Sequence, residues 1–383
     1  MAPVKKMSPM NAQKEEHGAK PFVRIAIVAP GIGTEGGITT VVSRITEEFA
    51  GDEDIEVIWI ASHRSGTMAV KVIQALSAFL QCCFYFPVVD VVHIHSSAYR
   101  SFFRKSIYLW LARLLRCSII WHFHAPDKDF NDFLSHGKFL RAYVDTVLGC
   151  CKTIVVLSKS WLKIAEELIP NGNFKVIYNP IPADWLKKSA EPSMVGKTQT
   201  VFYLGHLIPR KGYDDLIHAF AKCHDQFKDW KLVFAGSGEL EQAQFLAEKC
   251  GIAKNVEFLG WIQEPQIIEQ FDKASIFVLP SYQEGLPMSM LEAMAVGIPV
   301  ITTPVGGVPD VIISGTNGIL VDPGDIDAIT DALVMLMESP EICSTIGREG
   351  RHSVRKLVPK VIAEQWKSLY FDTVNTMPMK QAS

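Results

Sequence analysis

The sequence predicts an α/β protein built from two doubly wound domains. Three observations lead there. At 383 residues the chain exceeds what one hydrophobic core usually serves. Short apolar runs alternate with stretches of helical spacing, the pattern of strand–helix–strand units on a parallel sheet. Glycine-rich or charged loops follow those runs, at the sheet edge where open α/β folds bind ligands. The composition, 48% hydrophobic and 21% charged, is that of an ordinary globular chain.

Residues 1–20 are polar, lack an apolar run and are expected to be a disordered leader rather than a signal peptide. A first domain is expected over 21–185, opening with a strand from Phe22 to Ala29. The glycine loop Gly31 to Gly37 follows, then a helix from Thr39 to Phe49 with Val42, Ile45 and Phe49 on one face. Gly31, Gly33 and Gly36 match G-x-G-x-x-G in the strand-to-helix setting of a dinucleotide fingerprint. The next strand, Glu56 to Ala61, runs into Ser62-His63-Arg64, which offers no acid for a ribose and disfavours NAD. Asp52-Glu53-Asp54 spells a metal-binding D-x-D but sits in a connecting loop. It reads as a solvated turn, and no metal is expected.

Val88 to His95 and Ile119 to His124 are further strands, with His93 and His95 on one face of the first and His122 and His124 on one face of the second. Imidazoles near strand C-termini lie where such sheets bind ligands. His124 is the main candidate and His95 the second, whereas His93 and His122 are expected to be buried and hydrogen-bonded. Between these strands, Arg100 to Arg116 forms a basic amphipathic helix. It is either a core helix with a charged rim or one that meets an anionic leaflet or a lipid diphosphate through Arg100, Arg104 and Lys105. Met68 to Phe86 joins that surface or belongs to the core. No uninterrupted run of about twenty apolar residues is seen, so a spanning helix is not expected. Strands Thr153 to Ser158 and Phe174 to Tyr178 complete the domain, and Leu186 to Lys197 reads as a linker.

Residues 1–190 carry a net +5 and the remainder −8. A basic first half suits an anionic acceptor or membrane surface, but it is too dispersed for nucleic acid. The eight cysteines form no C-x-x-C pair or zinc spacing and read as buried thiols of a reducing compartment. A cytoplasmic protein is expected, at the inner face of the membrane if the basic helix makes contact.

A second domain is expected over 198–355, with residues 356–383 as a helix crossing back to the first. Thr200 to Leu204 is a strand followed by a loop carrying His206, Arg210 and Lys211, cations placed to meet a diphosphate. Lys231 to Ala235 leads to Gly236-Ser237-Gly238, and Val256 to Leu259 to Gly260-Trp261-Ile262. Ile276 to Leu279 is the next strand. Gln283-Glu284-Gly285 then loops, Pro287 suits a first helical position, and a helix from Met288 to Val296 stops at Gly297. A strand from Ile298 to Thr302 follows. The helix N-terminus makes a phosphate site. Glu284 and Glu292 flank it, roughly 12 Å apart at ~1.5 Å per residue, the span of a nucleotide sugar.

Glu284-Gly285-Leu286-Pro287 with Glu292 resembles the E-x7-E signature of the family 4 retaining glycosyltransferases (glycosyl transferases group 1), which have the GT-B fold of two Rossmann-like domains facing a cleft. The resemblance spans about 200–325 strongly and 22–180 more loosely. It implies a metal-independent hexosyltransferase that uses a UDP- or GDP-linked sugar without a cofactor. Glu284 would bind the transferred sugar, and Glu292 the ribose. Gly285, Leu286 and Pro287 would meet the diphosphate, with Lys211 and Arg210 as its cations. Gly36 and Gly37 match the family's glycine pair, and the base would meet Trp261 and Ile262 with Gly238 nearby. WHFHA is similar to the segment carrying the active-site histidine, here His124. His206 departs from the family's arginine. HSSAYRSFFRKS and HFHAPDKDF are similar to bacterial envelope-polysaccharide enzymes, which implies a glycan or lipid-linked acceptor near His95, Arg100, Arg104 and Lys105. A nucleotide-sugar epimerase and an NAD oxidoreductase are the alternatives.

Overall fold

The computed structural model describes residues 22–375 apart from residue 35 and residues 189–197. The leader expected over 1–20 therefore lies outside the described residues, as does most of the linker. Leu186 to Lys188 instead ends a short helix.

Two parallel six-stranded sheets follow one another along the chain. The first holds β1 (Val23–Pro30), β2 (Ile55–His63), β3 (Val91–Ser96), β4 (Ser118–Phe123), β5 (Thr153–Val156) and β6 (Phe174–Val176), in the order β2-β1-β3-β4-β5-β6. Its helices are α1 (Gly37–Glu48), α2 (Met68–Tyr85), α3 (Arg100–Leu114), α4 (Asp127–Ser135), α5 (Lys138–Leu148) and α6 (Lys159–Leu168), and the short α7 (Ala183–Lys188) that follows packs on the second lobe. The second holds β7 (Thr200–Leu204), β8 (Lys231–Ala235), β9 (Val256–Phe258), β10 (Ile276–Leu279), β11 (Val300–Thr302) and β12 (Ile319–Leu320), ordered β12-β11-β10-β7-β8-β9. Around it lie α8 (Tyr213–His224), α9 (Leu240–Lys249), α10 (Glu264–Lys273), α11 (Met288–Val296), α12 (Ile326–Glu338) and α13 (Pro340–Val354).

Strands β7, β8 and β10 coincide with the expected apolar runs. Buried on both faces, such strands are apolar nearly throughout rather than alternating. The final helix, α14 (Pro359–Asn375), packs on α1, β1 and β3 of the first lobe. Trp366 and Tyr370 are buried there, and Lys367 Nζ donates to Asp52 at 2.7 Å and Asp54 at 3.0 Å. The D-x-D loop is thus no solvated turn: it anchors the last helix. All eight cysteines are free. Cys82, Cys223 and Cys343 are buried, but Cys83 is exposed, against the expectation for it.

Candidate active site

In the second sheet the chain order reverses between β10 and β7, and loops leaving two such strands open a crevice at their C-terminal ends. Lys211, from the β7 loop, pairs there with Glu284 Oε1 from the β10 loop, and Ser281 Oγ donates to the same oxygen at 2.8 Å. Arg210 Nη1 donates to Gln283 O at 3.1 Å, so both cations sit against the second loop. Glu284 is 6% exposed. It lines the cleft from the loop before α11, with its charge matched by Lys211.

A third loop packs on the backbone that carries this carboxylate. Gly307 N donates to Gly285 O at 2.6 Å, and Gly306 has a φ of 55°. A Cβ on Gly306 would lie 1.9 Å from Glu284 O, so only glycine brings the two loops this close. Gly306→Ala is expected to displace Glu284 and lower turnover at least tenfold, about 1.4 kcal/mol in barrier height. Steady-state kinetics with the melting temperature as a control would check it.

α11 starts where expected, with Pro287 as its N-cap rather than its first helical residue and Gly297 left-handed at its end. Its first-turn amides have no intrahelical acceptors, and Pro287, Met288 and Ser289 line the cleft. Asn179 Nδ2, from the first lobe, donates to Leu286 O at 3.0 Å and holds this helix start against the cleft. Glu292 accepts from Arg44 Nη2 at 2.8 Å, and Arg44 Nη1 donates to Pro180 O at 3.1 Å. Burial raises the Glu292 carboxyl above its ordinary range, against the pull of the Arg44 guanidinium. Sequence reasoning missed Arg44 and Asn179. Their only signals are an arginine two turns into the helix after the glycine loop, and an asparagine between a strand and Pro180.

Across the cleft, the His124 ring nitrogen Nε2 lies 2.8 Å from His95 Nδ1. Gly285 lies against the same wall: a Cβ there would be 3.5 Å from His124 O. β3 and β4 pair so that His95 faces His122, and the four imidazoles form one array under α14. His93 Nδ1 meets Tyr370 OH at 2.8 Å. His122 was expected to be hydrogen-bonded, yet both its ring nitrogens are buried without a partner. His93, His95 and His122 bring one nitrogen each within 4.8 Å of one another and could gather a transition ion, although that trio includes no carboxylate to balance the charge. Desolvation lowers all four histidines, His124 to about 3.

Neutral histidines in the fold and free ones in the unfolded chain make acid destabilising. Below about pH 6.5 the unfolded chain binds protons that the folded one does not, so stability falls with pH at up to ~1.4 kcal/mol per unit for each histidine. Four together predict a steep loss of melting temperature between about pH 6.5 and 5. A flat profile there would count against a neutral array.

The cleft between the lobes measures about 1210 Å³. It brings together His124, Glu284, Lys211, Arg210, Gly36, Gly37, His206, Trp261, Ile262, Gly285, Leu286, Pro287 and Glu292. His206 Nδ1 lies 3.0 Å from Ser237 Oγ, and its ring faces Trp261 at 6.1 Å. Gly238 is not on the cleft wall; it pairs with Leu207, while Gly236 takes the expected place. The residues expected around an acceptor are not brought in. His95 is buried behind His124, and Arg100 and Arg104 lie outside the lining. Lys105 is in the core, where it donates to Val28 O at 2.9 Å and to Ser62 Oγ. The side chain of Arg64 occupies the space beside Gly31 where a ribose-binding acid would be needed for NAD.

Two Rossmann-like lobes with a cation–carboxylate pair at the reversal point of the second define the GT-B architecture. Residues 186–353, the second lobe, match the model of the glycosyl transferases group 1 family. N-acetyl-alpha-D-glucosaminyl L-malate synthase of Bacillus anthracis is 26% identical over 75% of this chain and 75% of its own. The capsular polysaccharide biosynthesis glycosyltransferase CapM of Staphylococcus aureus is 30% identical over 44% of each. The chain spans 23%, 63% and 51% of three further curated relatives, under two thirds of each. Among solved structures, Anabaena HepE in complex with UDP and glucose superposes with a TM-score of 0.71 at 16% identity, covering 91% of this chain and 100% of that one. None of these relatives supports an epimerase or an NAD oxidoreductase.

Proposed function

We propose that this chain transfers a hexose from a nucleoside-diphosphate sugar to an acceptor hydroxyl, with retention at the anomeric carbon. The observation that carries the reading is the meeting of Lys211, Arg210 and the α11 N-terminus beside Glu284, opposite His124, in one cleft. As the bond from C1 to the diphosphate breaks, charge grows on the departing oxygen, and two cations and a helix end stabilise that charge most. The acceptor oxygen bonds to C1 and its proton passes to the leaving phosphate. His124, neutral, hydrogen-bonds the sugar. Glu292, held by Arg44, takes the ribose hydroxyls, and His206 and Trp261 lie along the base.

The donor is a UDP- or GDP-sugar, and the UDP of the structural neighbour favours testing UDP first. Relatives named for capsule synthesis support a glycan or lipid-linked acceptor in envelope polysaccharide assembly, at the inner face of the membrane. A thermal-shift panel of UDP-, GDP- and ADP-sugars tests the donor, because a ligand of the native state alone raises the melting point. Transfer of labelled sugar from the hit to an acceptor extract would support the reading. No shift with any nucleotide sugar would overturn it.

A further inference from the structure

On the first lobe, away from the cleft, α2 and α3 lie side by side with apolar faces turned outward. Only Ala78 and Cys82 of α2 are buried. Ile73, Leu76, Leu80 and Phe84 recur at helical spacing and are 61–69% exposed. The segment Met68–Val88 has a mean hydropathy of 1.5 with 17% of it buried, so by length and composition it passes the test for a spanning helix. Sequence reasoning found no such stretch. α3 adds a second stripe of Phe103, Ile107, Trp110 and Leu114, while its opposite face holds Phe102 and Leu109 in the core. Contiguous apolar patches of this extent on a folded surface mark a docking site.

Charge selects the occupant. Neither helix contains an Asp or Glu, and Lys71, Arg100 and Arg113 are exposed on them, with Arg116 just beyond. A symmetric pair of chains would set these cations near their own copies, whereas anionic headgroups would neutralise them. Spanning is disfavoured because α2 packs along β2 and Gln74 Nε2 donates to Ala61 O, so the helix lies flat on the lobe. We infer that the paired stripes of α2 and α3 seat the first lobe in the interface of an anionic bilayer, apolar side chains below the headgroups and arginines among them. This stands apart from the transfer reading, but it would bring the cleft to an acceptor carried by lipid.

Vesicle flotation with the full chain, without donor or acceptor, tests it. The protein is expected to float with phosphatidylcholine vesicles containing phosphatidylglycerol and to stay behind with pure phosphatidylcholine. Leu76→Gln, Leu80→Gln and Phe84→Gln together should abolish flotation without changing the melting temperature. Arg113→Gln with Arg116→Gln should weaken it about fivefold per cation. Flotation unaffected by the triple variant would overturn the inference. So would a wild-type dimer, seen by light scattering, that ignores vesicles and that the triple variant makes monomeric. Nucleotide-sugar binding is read separately, so either idea can fail alone.

Discussion

Lys211→Ala is expected to lower kcat between about a hundredfold and a thousandfold, the loss typical when one donor to a developing anion is removed. The physical reason is differential. A cation over the diphosphate acts weakly on the bound donor, whose charge is shared with solvent and the helix end, and strongly once the bond to the sugar opens. Removing the lysine also strips a buried carboxylate of its charge partner, because Glu284 keeps only the Ser281 hydroxyl in the described structure. Breaking one side of such a pair costs about 3–5 kcal/mol of stability. Reading kcat and the melting temperature on the same Lys211→Ala sample, well below its transition, separates the two effects, since turnover lost while the protein stays folded belongs to the diphosphate. Wild-type kcat in that folded sample would mean that the lysine serves the fold alone.

The second large effect concerns His124. His124→Ala should reduce kcat by about a hundredfold or more, the range for a positioned polar group at the reacting centre, and change the donor KM much less. Held at about 3, the ring is neutral throughout the working range, so no limb of the pH–rate profile between about pH 6 and 9 should belong to it. Its partner decides which nitrogen carries hydrogen. His95 Nε2 is buried without a partner, and an orphaned N–H costs more than an orphaned lone pair. The His95 proton then sits on Nδ1, donated to His124 Nε2, and the His124 hydrogen is left on Nδ1. His95→Ala should therefore lower kcat about tenfold while sparing donor binding, and nitrogen NMR of His124 should show hydrogen on Nδ1. Hydrogen on Nε2 would reverse the assignment.

Much of this site was legible because local rules and global structure agree in the second lobe. β7 and β10 are near-continuous apolar runs, and each is followed at once by the residues that meet in the crevice. A strand end fixes where its loop begins, so Lys211 and Glu284 could be placed together from spacing alone. What stayed hidden depended on partners distant in sequence. Arg44 finds Glu292 across 248 positions, and Lys367 finds Asp52 across 315. Helical spacing put Lys105 on a basic helix but cannot see the Val28 carbonyl and Ser62 hydroxyl that draw it into the core. α2 was undecided for the same reason: an apolar helix reads alike whether its neighbours cover it or leave it bare.

The return of α14 to the first lobe has a mechanical consequence. The backbone passes between lobes twice, once after β6 and once before α14, and Ile181 N donates to Leu357 O at 2.9 Å where the two passages meet. Two rods pinned together bend easily about one axis and resist torsion. Widening of the gap between His124 and Glu284 about that axis is a door-like swing, which opens an angle between the two walls as well as a distance.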